Sequence, residues 1–116
     1  MEVVTIPPAV AVLSGDLFFR AKIEAVAKAA GAPVRFAGSV EEVRDAATVL
    51  VDLAEGARAI EAIQALKAAP RAPVVVAFGP HREGDAFRAA REAGADRVLA
   101  RSAFVERLPE LLRAGA

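Results

Sequence analysis

Thr48-Val49-Leu50-Val51-Asp52-Leu53 decides the fold. A strand with one wet face shows a polar residue at every second position. Here Val49, Leu50 and Val51 are all apolar, so the strand is buried on both faces and ends on a single acid, Asp52. A strand of that kind belongs inside a parallel sheet covered by helices on each side. Working outward, four more short runs have the same character: Ala9–Leu13 (AVAVL), Pro33–Ala37 (PVRFA), Pro73–Phe78 (PVVVAF) and Arg97–Ala100 (RVLA). Between them lie stretches with helical period. In Leu17–Ala30, Phe19, Ile23, Val26 and Ala30 share one face. In Ala57–Ala69, Ile60, Ile63 and Leu66 form the apolar stripe. In Gly84–Ala93, Phe87 and Ala90 face inward.

The boundaries carry matching chemistry. Asp16 can cap the first helix and Gly31 end it; Pro70 stops the third and Gly94 suits the position after the fourth. Ser39-Val40-Glu41-Glu42 reads as a capping box, with Ser39 as N-cap, and predicts a second helix over Val40–Ala46. Ser102 can cap the last helix, in which Pro109 predicts a kink or restart. Val3–Ile6 is strand-like and Pro7-Pro8 ends it, so residues 1–8 read as an edge strand or a loose arm. The order is β-α repeated five times in one domain, 1–116. This is an α/β chain of the doubly wound, flavodoxin-like type, with strand order 2-1-3-4-5 and helices on both faces.

Composition excludes many chemistries. The 116 residues contain no Cys, Trp or Tyr and one His, His81. Disulfides, thiolate metal sites, iron–sulfur clusters and a cysteine nucleophile are ruled out, as is any site needing two histidines. Fifteen basic residues balance fifteen acidic ones, so no global field draws in nucleic acid or an anionic membrane. Met1-Glu2-Val3-Val4 lacks the basic flank of a signal peptide, and no apolar run nears the roughly 20 residues that span a bilayer. The expected location is the cytoplasm.

In sheets of this type a site lies beyond the C-terminal ends of the strands. Those ends carry Ser14-Gly15-Asp16, Asp52, Phe78-Gly79-Pro80-His81 and Arg101-Ser102. The loops, together with Ala93–Arg101 (AGADRVLAR), Leu50–Leu53 (LVDL) and Pro73–Ala77 (PVVVA), resemble the CheY-like receiver domain of bacterial two-component response regulators, over about Ala9 to Leu112. The resemblance implies five functional groups: two acids after strand 1 that bind Mg²⁺ together with a phosphoacceptor aspartate after strand 3, a Ser/Thr after strand 4, and a lysine after strand 5. Carried over position by position, the acids fall on Ser14 and Gly15, with Asp16 one step late. The phosphoacceptor falls on Asp52, the hydroxyl on Phe78 and the lysine on Arg101. Only the aspartate and a positive charge are kept. Phe78–His81 and Arg101–Phe104 also resemble segments of small stand-alone receiver-like proteins.

The resemblance therefore implies a degenerate receiver: a non-catalytic signalling or interaction module with no catalytic residue, metal or cofactor. Two alternatives remain at this stage. One is a receiver still phosphorylated on Asp52, with Mg²⁺ held by Asp16 and Asp52. The other is a binder of a small molecule or anion between Ser14, Asp52, Gly79 and His81. The expected partner is a protein. The face formed by the fourth helix, fifth strand and fifth helix, about Arg82–Ala114, is the candidate for a homodimer, with Phe104, Leu108, Leu111 and Leu112 as contacts unless they pack on the chain's own sheet.

Overall fold

The structure, a computed structural model, describes residues 10–80 and 84–114. The five apolar runs form strands β1 (Val10–Leu13), β2 (Val34–Ala37), β3 (Thr48–Asp52), β4 (Val74–Gly79) and β5 (Arg97–Ala100). They make one parallel sheet in the order β2-β1-β3-β4-β5, the doubly wound arrangement expected. β3 is buried along its whole length. Four α-helices cover the sheet: α1 (Leu17–Ala30), α2 (Ala57–Ala68), α3 (Gly84–Ala93) and α4 (Arg101–Ala114).

Side-chain alternation divides the core into two. Val10, Val12, Leu50, Val76 and Phe78 point to one face, where they meet Phe19, Ile23 and Ala27 of α1 and Phe104, Leu108 and Leu112 of α4. Ala11, Val49, Val51, Val75 and Ala77 point to the other, against Ala59, Ile63 and Leu66 of α2 and Ala90 of α3. The period-2 and period-3.6 patterns thus meet at shared apolar layers. α1 and α3 end as their glycines predict. Gly31 and Gly94 adopt φ of 66° and 110°, and the following amides, those of Ala32 and Ala95, donate back to Ala27 and Ala90 at 3.0 Å.

Three local expectations change. The helix expected over Val40–Ala46 is a 3-10 turn at Glu41–Val43, closed by i→i+3 bonds from Val43 to Val40 and from Ala46 to Val43. The segment is short and buries chiefly Val43, which is too little to sustain an α-helix. Ser39 is not its cap; instead Glu42 reaches back and accepts from the Gly38 N–H at 3.2 Å. α4 runs unbroken through Pro109, because its inward face, Phe104, Leu108, Leu111 and Leu112, continues across the proline. Packing there outweighs one missing backbone hydrogen bond. Ser102 lies inside the first turn of α4, after its start at Arg101, rather than preceding it. The edge strand or arm read at 1–8 falls outside the described residues. Among the described residues no helix is long and apolar enough to cross a membrane.

At the edge opposite the candidate site, Asp96 ties three elements together. Its Oδ2 accepts from Lys67 Nζ of α2 and from the Val75 N–H of β4, each at 2.8 Å, just before β5 begins. Partial burial raises the Asp96 pKa, but the hydrogen bonds from Lys67 and Val75 outweigh it and hold the carboxyl below its usual value. A carboxylate with a depressed folded-state pKa stabilises the fold above the unfolded value, about pH 4, and that contribution disappears as pH falls through the folded value. Asp96→Asn is expected to cost on the order of 1 kcal/mol at pH 7, limited by the partial exposure of the pair. Urea denaturation of the two proteins should show the gap closing as the pH falls below about 4.

Candidate functional site

Strand register sets one transverse row at the C-terminal edge. Asp52 of β3 pairs with Phe78 of β4, and Phe78 with Leu99 of β5. On the other side Leu13 pairs with Val51, so Ser14, the next residue, falls beside Asp52. The row reads serine, aspartate, phenylalanine, leucine. Alternation turns it toward the α1/α4 face.

Asp52 is 1% exposed, and partners from the chain already surround its carboxylate. Ser14 Oγ donates to Oδ2 at 2.8 Å, and the Ala54 N–H donates to Oδ1 at 2.9 Å. Arg101 Nη2 stands 3.9 Å from Oδ1. Burying an ionised carboxylate is costly unless it is hydrogen-bonded and paired, and these three groups meet that requirement. The Arg101 guanidinium lies 4.7 Å above the centre of the Phe19 ring, a cation–π contact that fixes its distance from Asp52.

The neighbouring acids are engaged elsewhere. Asp16 caps α1: its Oδ1 accepts from the Phe19 N–H at 3.1 Å, while its own N–H donates to Ser14 Oγ at 3.3 Å. Glu55, three residues after Asp52, accepts from the Gly15 N–H through Oε1 at 2.7 Å. A Cβ on Gly15 would lie 2.6 Å from that same oxygen, so the Glu55 carboxylate occupies the place where a side chain at 15 would begin. The donors do not fit a magnesium ion. Positions 14 and 15 bring no carboxylate, Asp16 is turned to the helix terminus, and among the described residues no cluster of three metal-binding side chains forms.

Phe78 is wholly buried, and its ring stacks on Phe104 at 4.1 Å and 15°. Phe19 lies against both rings, 5.0 Å from Phe78 and 5.8 Å from Phe104. Position 78, where the resemblance implies a hydroxyl, is therefore part of the core. Gly79 is also buried, with Leu53 and Phe87 so close that an added Cβ would sit 3.2 Å from Leu53 Cβ. Close packing accounts for this glycine. Ser102 is exposed in the first turn of α4, and His81 lies outside the described residues.

The structure brings together Ser14, Asp16, Asp52, Phe78 and Arg101, linked by hydrogen bonds, register and the Phe19 ring. The sequence reading missed Glu55 and Phe19 at this edge. Glu55 was accessible in principle: β1 and β3 are neighbours, so the loops that follow them must meet. It also missed an open cleft of about 680 Å³ running from Ser14 and Gly15 past Gly38 to Arg58 and Glu61 of α2. Phe104, Leu108, Leu111 and Leu112, candidates for contact with a second copy, are buried against the sheet, the outcome the sequence reading allowed for.

The sequence matches no protein-family model and no curated protein. Its fold is similar to solved response-regulator structures. A response regulator from Thermotoga maritima is 17% identical with a TM-score of 0.73, over 95% of this chain and 98% of that one. A putative response regulator from Chloroflexus aurantiacus is 20% identical with a TM-score of 0.77, over 95% and 98%. The receiver domain of NtrX from Brucella abortus is 16% identical with a TM-score of 0.74, over 91% and 96%. The chain has the receiver fold.

Because Phe78 joins α1, α4 and the sheet, Phe78→Ala is expected to destabilise the protein by about 3–5 kcal/mol. A lower midpoint in urea with an unchanged slope would give that figure directly.

Proposed function

We propose that this protein is a receiver-like signalling module that acts by protein contact, with its phosphorylation site closed by groups of its own chain. One observation carries the reading: both oxygens of Asp52 already accept hydrogen bonds, from Ser14 Oγ and the Ala54 N–H. An aspartate that accepts a phosphoryl group must present a free oxygen in line with the donor, beside a cation that neutralises developing charge. Here the residue beside Asp52 just after β1 is a serine spent on holding it, and the residue beside it on β4 is Phe78, which offers no hydrogen bond to a phosphoryl oxygen. Arg101 Nη2, 3.9 Å from Asp52 Oδ1, supplies a positive charge where the resemblance puts a lysine. The receiver fold supports a role in signalling, carried through a protein partner in the cytoplasm.

Incubation with acetyl phosphate and Mg²⁺, followed by intact-mass measurement, tests the reading. The expected mass is that of the unmodified chain, with a working receiver treated in parallel gaining one phosphoryl group. Gain of one group here, abolished in Asp52→Asn, would overturn the closed-site reading in favour of a receiver that is still phosphorylated.

A further inference from the structure

β2 is the one strand of the five with no α-helix after it; the 3-10 turn at Glu41–Val43 carries the chain on to β3. The consequence shows in the last register row on that face of the sheet. Ala37 of β2, Leu13 of β1 and Val51 of β3 stand side by side there. Val51 packs with Ala59 of α2 and is 1% exposed, whereas Leu13 and Ala37 stay half-buried at the border of the same core layer. One row lower the turn gives full cover, with Ala11 and Val49 buried in one cluster with Val43 and Ala46. The upper row is the floor of the cleft of about 680 Å³, with the turn as one bank and α2 as the other. The α2 bank is low, since Ala59, Ala62 and Ala65 follow one another along it.

Polar groups at the top of the cleft are matched within the chain: Ser14 with Asp52, the Gly15 N–H with Glu55 and the Gly38 N–H with Glu42. Those matches occupy groups that would otherwise orient a small polar ligand. An apolar floor and a charged rim are left for contact. The rim is acidic. Glu41 and Glu42 stand on the turn, and Glu55 and Glu61 on the α2 side, against two cations, Arg58 and Arg20. Arg20 belongs to the α1 end, where its guanidinium lies 4.8 Å from the centre of the Phe36 ring. Arg44, which pairs with Glu41 at 3.4 Å, is exposed and outside the cleft, so it offsets little of that charge.

We infer that this cleft docks a basic amphipathic helix of a partner protein. The helix lies along α2, with its apolar stripe on Leu13, Ala37 and Val40 and its Lys or Arg side chains over Glu41, Glu42 and Glu61. The inference rests on the reading of a module that acts by protein contact, and it assigns the surface. A helix is the element with which this fold covers its sheet, and α2 and α3 do so on the same face. The alanines of α2 allow a second helix axis to come close. Recognition of this kind uses an apolar stripe in a groove, and the rim charge selects the partner, because acidic flanks would set like charges together.

A synthetic peptide of about 15 residues tests the inference, with Leu along one stripe, Lys on both flanks and a side-chain lactam that holds the helix. Fluorescence anisotropy with the full chain, in about 0.15 M salt, is expected to show micromolar binding. The same peptide with Glu in place of Lys should bind roughly tenfold more weakly or worse, the combined effect of several exposed charge pairs. Glu61→Lys, a change at an exposed position, should weaken binding of the Lys peptide, and Ala62→Arg, which raises the low bank, should abolish it. Both variants should keep the circular dichroism spectrum of the unsubstituted chain. Amide shifts on titration should concentrate at Ala37, Val40 and Ala62. Equal affinity for the two peptides, no binding up to about 100 µM, or shifts concentrated on α3 and α4 overturns the assignment. So does a chain that dimerises alone in sedimentation equilibrium and ceases to do so in Ala62→Arg, since a second copy would then be the occupant. None of these results alters the acetyl phosphate readout, so failure of this docking surface is told apart from failure of the closed-site reading.

Discussion

The stack of Phe78 on Phe104, with Phe19 against both, is the contact on which the C-terminal edge of this sheet depends. Three rings from β4, α1 and α4 meet directly beneath the loops, so the two helices on that face are set against the sheet at their first turns. Aromatic pairs at these separations contribute about 0.5–1.5 kcal/mol each beyond area burial. The same stack determines the electrostatics above it. Phe19 is held by Phe78 and Phe104, and Arg101 is held over Phe19. The guanidinium therefore stops 3.9 Å from Asp52 instead of closing to a bidentate pair. A hydroxyl at position 78 would give up this arrangement for a polar group with only core around it.

A second regularity follows along the same edge. Backbone N–H groups there are met by carboxylates of the chain itself: Phe19 by Asp16, Ala54 by Asp52, Gly15 by Glu55 and Gly38 by Glu42. Such amides at the starts of helices and turns are the groups that bind phosphates in doubly wound folds. Here an incoming anion would have to displace an internal one, losing a charge-assisted hydrogen bond to gain another. The carboxylates that are present neighbour the site and saturate its donors rather than facing a metal.

The architecture was legible because it rests on patterns repeated many times. Continuous apolar runs such as Val49-Leu50-Val51 have one reading when each is followed by an amphipathic stretch, and Gly31 and Gly94 do what a glycine after a helix does. The meeting of Asp52 and Phe78 at one sheet edge was legible too, since it needs only alignment of strand ends. What the sequence concealed depends on cooperation between distant elements. Pro109 reads as a break until the unbroken inward face of α4 is packed on the sheet. Ser39 to Glu42 reads as a capping box until the segment proves too short to hold an α-helix, and the glutamate reaches Gly38 instead. The placing of Glu55 over Gly15 and of Arg101 over Phe19 spans 40 and 82 residues of chain respectively (55 − 15 and 101 − 19). No local rule reports contacts at that separation.

The buried Asp52 carboxylate and the exposed start of α1 are physically continuous. Asp52 accepts from Ser14, whose oxygen accepts from the Asp16 N–H, and the Asp16 carboxylate caps the first turn of α1 through Phe19. Phe18 sits inside that capped turn. Its backbone is fixed on one side by the cap and on the other by the Phe19 ring in the core, while its own ring faces solvent. An exposed aromatic on a frayed turn would sweep many positions. On a turn tied to a buried carboxylate the backbone entropy at Phe18 has been lost during folding. Asp52 thus has a structural use that requires no phosphate: it anchors the hydrogen-bonded sequence that leads into the first turn of α1.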